Sequence, residues 1–263
     1  MAGYVGPDAP LSTLLFDGDH SLSHQAYTPR ELVRGNVNVD GTGIAWWDAH
    51  DAEPLSYVTS APPWADPNLE RLAPRLKSAT MIAAVRSATP GMAFGVDNVS
   101  PFAYGDLAGS HNGWIENFRG PIGQSLIADL PPAQFSSLSA VNDSRVIFLC
   151  AAKHAAQCDT LLDALNATLA EVGRACNTFG ASAALNLVLA RKDEIAACRF
   201  SVGAPCNTLY VATTSPPPTE MPTGRATYLA SEPLDATLDW QLVDDFHCVH
   251  ITHAGTTISA ATL

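Results

Sequence analysis

Three groups of residues in this chain carry what is needed to hold an α-amino acid by both charged ends and to polarise an amide. They are Arg86 in Val85-Arg86-Ser-Ala-Thr89, Asn112-Gly113 after Ser110-His111, and Asp143-Ser144. A guanidinium forks onto a carboxylate through two parallel N–H donors. A side-chain amide beside a glycine N–H stabilises a developing oxyanion, and a later carboxylate can neutralise an ammonium. Taken singly, each group has a plainer reading, since Arg after an apolar strand is commonly an ion-pair partner and Asn-Gly is commonly a turn. Their joint order along the chain favours the chemical reading.

The elements that must position these groups change character along the chain. Short strands are expected at Gly43 to Trp47, Leu55 to Val58 and Met81 to Val85, separated by Gly, Asp and Pro, with a loop through Pro62 to Pro67. Leu162, Leu165, Leu169, Val172 and Cys176 recur at three- and four-residue steps, which is one apolar face of a helix. A second helix is expected from Asp143 through Cys150, capped by Asp143 or Asn142. Alternation returns at Leu185, Leu187 and Leu189, and strands follow at Glu194 to Val202, Thr208 to Ala212, Ala226 to Ser231 and Phe246 to Thr252. Strands, then helices, then strands again imply two sheets with helices outside them, an α+β layered arrangement.

Composition narrows the function. The chain has 263 residues, 47% of them hydrophobic, enough for one sizeable core, so residues 1–263 are expected to form a single domain. A net charge of −12 opposes attraction to phosphate backbones, which argues against nucleic acid as a partner. No window reaches the ~18 consecutive apolar residues of a membrane span, and the start shows no export signal, so neither a membrane nor a secreted location is expected and the cytoplasm is the simplest compartment. Six cysteines without a C-x-x-C pair read as reduced core thiols.

Several motifs fail on inspection. His247, His250 and His253 recur every third residue, but the β-branched and aromatic residues around them favour a strand, which would point His250 away from the other two. No metal and no cofactor are expected. Gly41-Thr-Gly43 lacks the third glycine of a dinucleotide fingerprint and reads as a turn. There is no Gly-x-Ser-x-Gly elbow, and neighbours Ser110 and His111 on a strand would face opposite ways.

Nine segments in order resemble one family. They are Ala2-Gly-Tyr-Val-Gly-Pro7, His24-Gln-Ala-Tyr27-Thr-Pro29-Arg30, Asn38-Val-Asp40-Gly41-Thr-Gly43, Val85-Arg86-Ser-Ala-Thr89, Pro101-Phe102, Ser110-His111-Asn112-Gly113, Asp143-Ser144, Leu185-Asn186-Leu187 and Ala230-Ser231-Glu232-Pro233. Together they resemble the class II glutamine amidotransferases, specifically the stand-alone γ-glutamyl amidohydrolases of ergothioneine biosynthesis, across nearly the whole chain. The resemblance implies a four-layer αββα Ntn-hydrolase sandwich of two mainly antiparallel sheets flanked by helices. It implies that Arg86 binds the substrate α-carboxylate with Thr89, that Asp143 holds the α-ammonium, and that His111 joins them in the substrate pocket. By the same resemblance Asn112 and Gly113 form the oxyanion hole, and Arg30 and Asp40 order the surrounding loops. The implied partner is a small γ-glutamyl amide, with γ-glutamyl-hercynylcysteine sulfoxide the first choice; a homo-oligomer is left open.

Family members start with a cysteine whose thiolate attacks the amide and whose own α-amine is the base, an α-amino pKa near ~7.7–8 being suited to neutral pH. Here Met1 stands where the residue before Ala-Gly-Tyr belongs, so the nucleophile is expected to be lost by truncation or a misplaced start. Two alternatives accompany this reading: a non-catalytic homologue that binds γ-glutamyl compounds or a partner, and a glutaminase subunit that feeds ammonia to a separate synthase. Hercynyl compounds carry a quaternary ammonium, for which Trp46, Trp47 and Trp64 are candidate aromatic faces.

Overall fold

The computed structural model describes residues 1–31, 37–87, 95–214 and 224–263. In chain order the first part comprises β1 (Ala2–Pro10), α1 (Ser12–Leu15), α2 (Leu22–Tyr27), β2 (Thr42–Trp46), β3 (Leu55–Thr59), α3 (Pro67–Leu72) and β4 (Lys77–Val85). The middle comprises β5 (Phe102–Tyr104), β6 (Leu107–Ile115), α4 (Pro121–Ala128), α5 (Pro132–Ser136), α6 (Asp143–Ala155) and α7 (Leu161–Phe179). The last part comprises β7 (Ala183–Arg191), β8 (Glu194–Val202), β9 (Tyr210–Thr213), β10 (Thr227–Ala230), β11 (Gln241–Leu242), β12 (His247–Thr252) and β13 (Gly255–Ala260).

These strands form two sheets, ordered β11-β9-β10-β1-β4-β2-β3 and β13-β12-β8-β7-β6-β5. Period-two alternation makes each sheet two-faced. Met1, Val5, Ile82 and Ala45 from the first sheet meet Ala108, Val188, Ile195, Ala197 and Val249 from the second in a buried layer between them. On the outer face of the first sheet, Tyr4, Ile44 and Met81 pack under Leu14, Leu15, Leu22 and Leu69 of α1 to α3. On the outer face of the second, Leu185, Leu187, Leu189 and Phe200 pack under Ile122, Phe148, Leu165, Leu169 and Val172 of α4, α6 and α7. The result is the expected four-layer αββα sandwich. Among the described residues no helix is long and apolar enough to cross a membrane.

Local chemistry sets the helix ends. Thr160 Oγ1 accepts from Asp163 N at 3.1 Å and donates to the Asp163 carboxylate at 2.7 Å, a reciprocal cap that starts α7; Gly180 at φ 63° stops it. Asn142, not Asp143, caps α6, with Oδ1 accepting from Arg145 N at 2.7 Å. This leaves the Asp143 carboxylate for other partners. The helix also runs to Ala155, five residues past the expected stretch, because Ala151, Ala152 and Ala155 continue the buried face. Gly41-Thr-Gly43 leads into β2 instead of making a turn, and a Cβ on Gly43 would collide with the Ser100 carbonyl oxygen.

Phe148 of α6 is the anchor of the helix-side core, 1% exposed and set against Phe102 with ring centroids 5.9 Å apart. Phe148→Ala is expected to destabilise the fold by about 3–5 kcal/mol, measured as a shift in urea midpoint; a loss under ~1 kcal/mol would contradict this packing.

Candidate functional site

The site grows from the register of β1. Ala2 pairs with Ala83 of β4 on one side and with Ala230 of β10 on the other. The start of β1 therefore emerges between Arg86, just past the end of β4, and Ser231-Glu232, just past the end of β10. Ser231 N donates to Met1 O at 2.9 Å, and the Met1 amine donates to Ser231 Oγ at 3.1 Å. Burial pushes that amine down to about 5, with Glu232 pulling it up. Glu232 is itself buried and accepts from Arg30 N at 2.8 Å, while its Oε2 lies 2.9 Å from His20 Nε2.

Arg86 and Asp40 face each other across an extension of the β2–β4 ladder, Arg86 N donating to Gly41 O and Asp40 N to Arg86 O, both at 2.9 Å. Burial lowers the pKa of the Arg86 guanidinium, and the Asp40 charge opposes that shift. Its Nη1 is buried with no hydrogen-bond partner among the described residues. A buried donor on a cation is costly to leave unmade, so a ligand carboxylate is the natural complement.

Asn112 and His111 sit on opposite faces of β6 because successive side chains alternate. His111 points to the helix layer, where Nδ1 is 3.0 Å from Ser144 Oγ and Nε2 is 3.3 Å from Ala184 O. Burial lowers its pKa, against the raising influence of Asp143 and Ala184 O, so the ring is neutral near pH 7. A carbonyl only accepts, so Nε2 carries the proton and Nδ1 accepts from Ser144. A Cβ on Gly113 would collide with Ala184 O and crowd His111 Nε2, so Gly113 and His111 fit as a pair. His111 thus supports the strand from behind instead of sharing the face of Asn112.

Asn112 points between the sheets. Its Oδ1 and its backbone O both accept from Asn207 Nδ2, at 2.9 and 3.4 Å. This fixes the amide with Nδ2 as its outward donor. Asn207 is held in turn, its carbonyl accepting from Asn186 Nδ2 and from Arg199 Nε, each at 3.1 Å. Next to it, Thr208 Oγ1 donates to Ser231 O at 2.9 Å, which links Asn112 to the Met1 end of β1. Asn207 belongs to none of the motifs of the sequence, since a lone Asn in a loop carries no signal of such a role.

Asp143 closes the circuit. Its carboxylate accepts from Ile115 N at 3.1 Å and from Ser144 N at 2.8 Å, three residues along β6 from Asn112, or roughly 10 Å. The preceding Asn142 donates to Asn98 Oδ1 at 2.7 Å, and Val99 stands against Gly41, the backbone partner of Arg86. A path therefore runs from Arg86 through Gly41 and Val99, by its chain neighbour Asn98 to Asn142 and Asp143, along β6 to Asn112, and back through Asn207, Thr208 and Ser231 to Met1. Thr89 lies outside the described residues. Among the described residues no group of three His, Cys, Asp or Glu could hold a metal ion.

The Met1 amine makes stability depend on pH. Above about pH 8 it is neutral in folded and unfolded chains alike. Between 8 and about 5 only the unfolded chain takes up the proton, so stability falls as pH falls through that window, by up to ~4 kcal/mol, and this contribution levels off below it. A chain in which this nitrogen is a peptide amide is expected to lose that slope in urea titrations at pH 8.5 and 5.5; equal slopes in the two chains would contradict a buried, neutral amine.

No family model matches the chain. It is 31% identical over 98% of its length, and 94% of the relative, to the protein of Mycobacterium tuberculosis (strain CDC 1551 / Oshkosh) named gamma-glutamyl-hercynylcysteine sulfoxide hydrolase. It is 30% identical over 95% of its length, and 94% of the relative, to the protein of that name from Mycolicibacterium smegmatis. Among solved structures, a glutamine aminotransferase class-II domain protein from Silicibacter pomeroyi superposes with a TM-score of 0.69 at 18% identity, covering 100% of this chain and 99% of that one. Near-full-length similarity to the mycobacterial hydrolases, on the sandwich described above, shows that the chain belongs to the γ-glutamyl-hercynylcysteine sulfoxide hydrolase branch of the class II glutamine amidotransferase family.

Proposed function

We propose that this chain is built to hydrolyse a γ-glutamyl amide, releasing glutamate, with γ-glutamyl-hercynylcysteine sulfoxide as substrate. The observation that carries the reading is the buried, unpartnered Nη1 of Arg86 beside the start of β1, on one circuit with Asn112 and Asp143. In this reading Arg86 takes the substrate α-carboxylate and Asp143 the α-ammonium. Asp40 keeps Arg86 charged, and Arg30 orders the loop over Glu232. Asn112 Nδ2 and Gly113 N–H receive the oxyanion, each donor being worth roughly 3–4 kcal/mol in the transition state.

The nucleophile this chemistry needs is a thiol with its own free amine. The five buried cysteines offer poor substitutes. Burial pushes the thiols of Cys150 and Cys248 up to about 12, those of Cys176 and Cys206 up to about 11, and that of Cys198 well above its ordinary value. The β1–β4 register supplies a place for a better one: continuing the Ala2–Ala83 pairing outward sets the second residue before Met1 opposite Arg86. A cysteine there attacks the amide carbon and passes its thiol proton, through its α-amine, to the departing nitrogen. Water then hydrolyses the thioester to free glutamate and restore the thiol.

Two experiments follow. A chain carrying Cys-Arg-Leu ahead of Ala2, its initiator Met removed, is expected to release glutamate from γ-glutamyl amides, and Arg86→Ala should weaken glutamate binding by roughly 10- to 100-fold in calorimetry. If that chain binds glutamate and cleaves nothing, the γ-glutamyl-binding role replaces the hydrolase; if glutamate release requires an added ATP-dependent synthase, the ammonia-supplying role does. In the same background Asn207→Ala is expected to lower kcat by about 10-fold or more with KM little changed, because it frees the Asn112 amide to rotate away from the oxyanion. A change in KM alone would remove Asn207 from that role.

A further inference from the structure

We infer that Tyr27 and Trp64 form a binding ledge for the quaternary ammonium on the amine side of the substrate, an inference that rests on the γ-glutamyl reading above. Of the three tryptophans that could serve, Trp47 is 3% exposed and donates its Nε1–H to Ala52 O at 3.0 Å, and Trp46 packs into the outer core of the first sheet. Trp64 is different. It is 47% exposed in a one-turn helix (Pro63–Ala65) and meets Tyr27, 51% exposed at the end of α2, with ring centroids 5.3 Å apart and planes at 82°.

Two half-exposed rings at right angles make the corner of an aromatic cage. A trimethylammonium has no N–H to satisfy and is only weakly hydrated, so aromatic faces bind it better than carboxylates hydrogen-bond it. The chain's net charge of −12 favours the approach of such a cation.

The ledge stands at the end of the sheet from which the site opens. Thr59, the last residue of β3, pairs with Thr42, and Thr42 pairs with Val85, the residue before Arg86. The segment that carries Trp64 therefore begins two strands away from Arg86 at the same level. From the other side, Asn38 N donates to Ala26 O at 2.6 Å and Asp40 N to Arg86 O, which ties the α2 end to the arginine. A row of rings continues inward from the ledge. Tyr27 lies 4.9 Å from His24 and bonds its Nδ1 through the hydroxyl at 3.1 Å, His24 lies 5.3 Å from His20, and His20 reaches Glu232 beside the Met1 amine. A glutamyl group held by Arg86 and Asp143 would leave its amine portion free to project toward this corner.

The test uses the chain as it stands, with Nα,Nα,Nα-trimethylhistidine and unmethylated histidine as probes in calorimetry and saturation-transfer NMR. Trimethylhistidine is expected to bind at least about fivefold more tightly than histidine, with its N-methyl protons saturated from the protein. Trp64→Ala and Tyr27→Ala are each expected to weaken it by roughly 3- to 10-fold while Trp64→Phe retains most of the affinity. Equal affinity for the two probes, or unchanged affinity in both alanine variants, would overturn the ledge. Glutamate binding, measured in parallel on the wild type and Trp64→Ala, separates the two readings. Retained glutamate binding without trimethylhistidine binding sinks the ledge alone, whereas trimethylhistidine binding without glutamate binding sinks the glutamyl pocket.

Discussion

The pairing of β1 between β4 and β10 is the constraint from which the site follows. A central strand has its backbone groups committed on both sides, so its register is not free to slip without turning every side chain to the wrong face. Once Ala2 is set against Ala83 and Ala230, the start of the chain, the residue after β4 and the residues after β10 must meet at one end of the sheet. Arg86, Ser231 and Glu232 are near the Met1 amine for that reason, and not because any of them attracts the others. The inward face of β1 carries Gly3, where an added Cβ would press on Ile195 across the sandwich, so the two sheets approach closely at this point.

The second sheet contributes by dividing labour across one strand. Asn112 lies on the inner face of β6, and the outer face is given to a neutral histidine packed over a glycine. The pair locks β6 to β7 through Ala184 O and to α6 through Ser144, and α6 in turn presents Asp143 to Ile115 N. Capping by Asn142 is what frees the Asp143 carboxylate for this use. The inner face carries an unusual load of polar groups for a sandwich core, with Asn186 fully buried and its Oδ1 unpartnered among the described residues. Such a network is costly unless it fixes something. Here it fixes the loop at Asn207, and through it the amide of Asn112.

Much of the architecture was legible in the chain because strong periodicity survives burial. β8 falls where expected, β4 and β7 extend the expected runs, and α7 shows its apolar stripe, since Leu165, Leu169, Val172 and Cys176 all lie in the helix-side core. β1 and β6 carry no clear strand periodicity of their own. Both are rich in Gly, Ala and polar residues, which carry little β signal; they are strands because their neighbours pair with them on both sides. Gly3, Asn112 and Gly113 are among the positions that weaken the pattern, and close approach of neighbouring groups at Gly3 and Gly113 is what the fold requires there.

By itself the sequence determined the layers and the family, because hydrophobic period and motif order are properties of the chain read in one dimension. The tertiary structure decided which residues share a face. It turned His111 to the helix layer while Asn112 faced the sheets, joined Asn207 to Asn112 across 95 positions of sequence, and left Trp64 exposed against Tyr27 while burying Trp47. The physical reason is that strand register and sheet stacking, set by the whole core at once, fix where a side chain points, and no local window of residues contains that information.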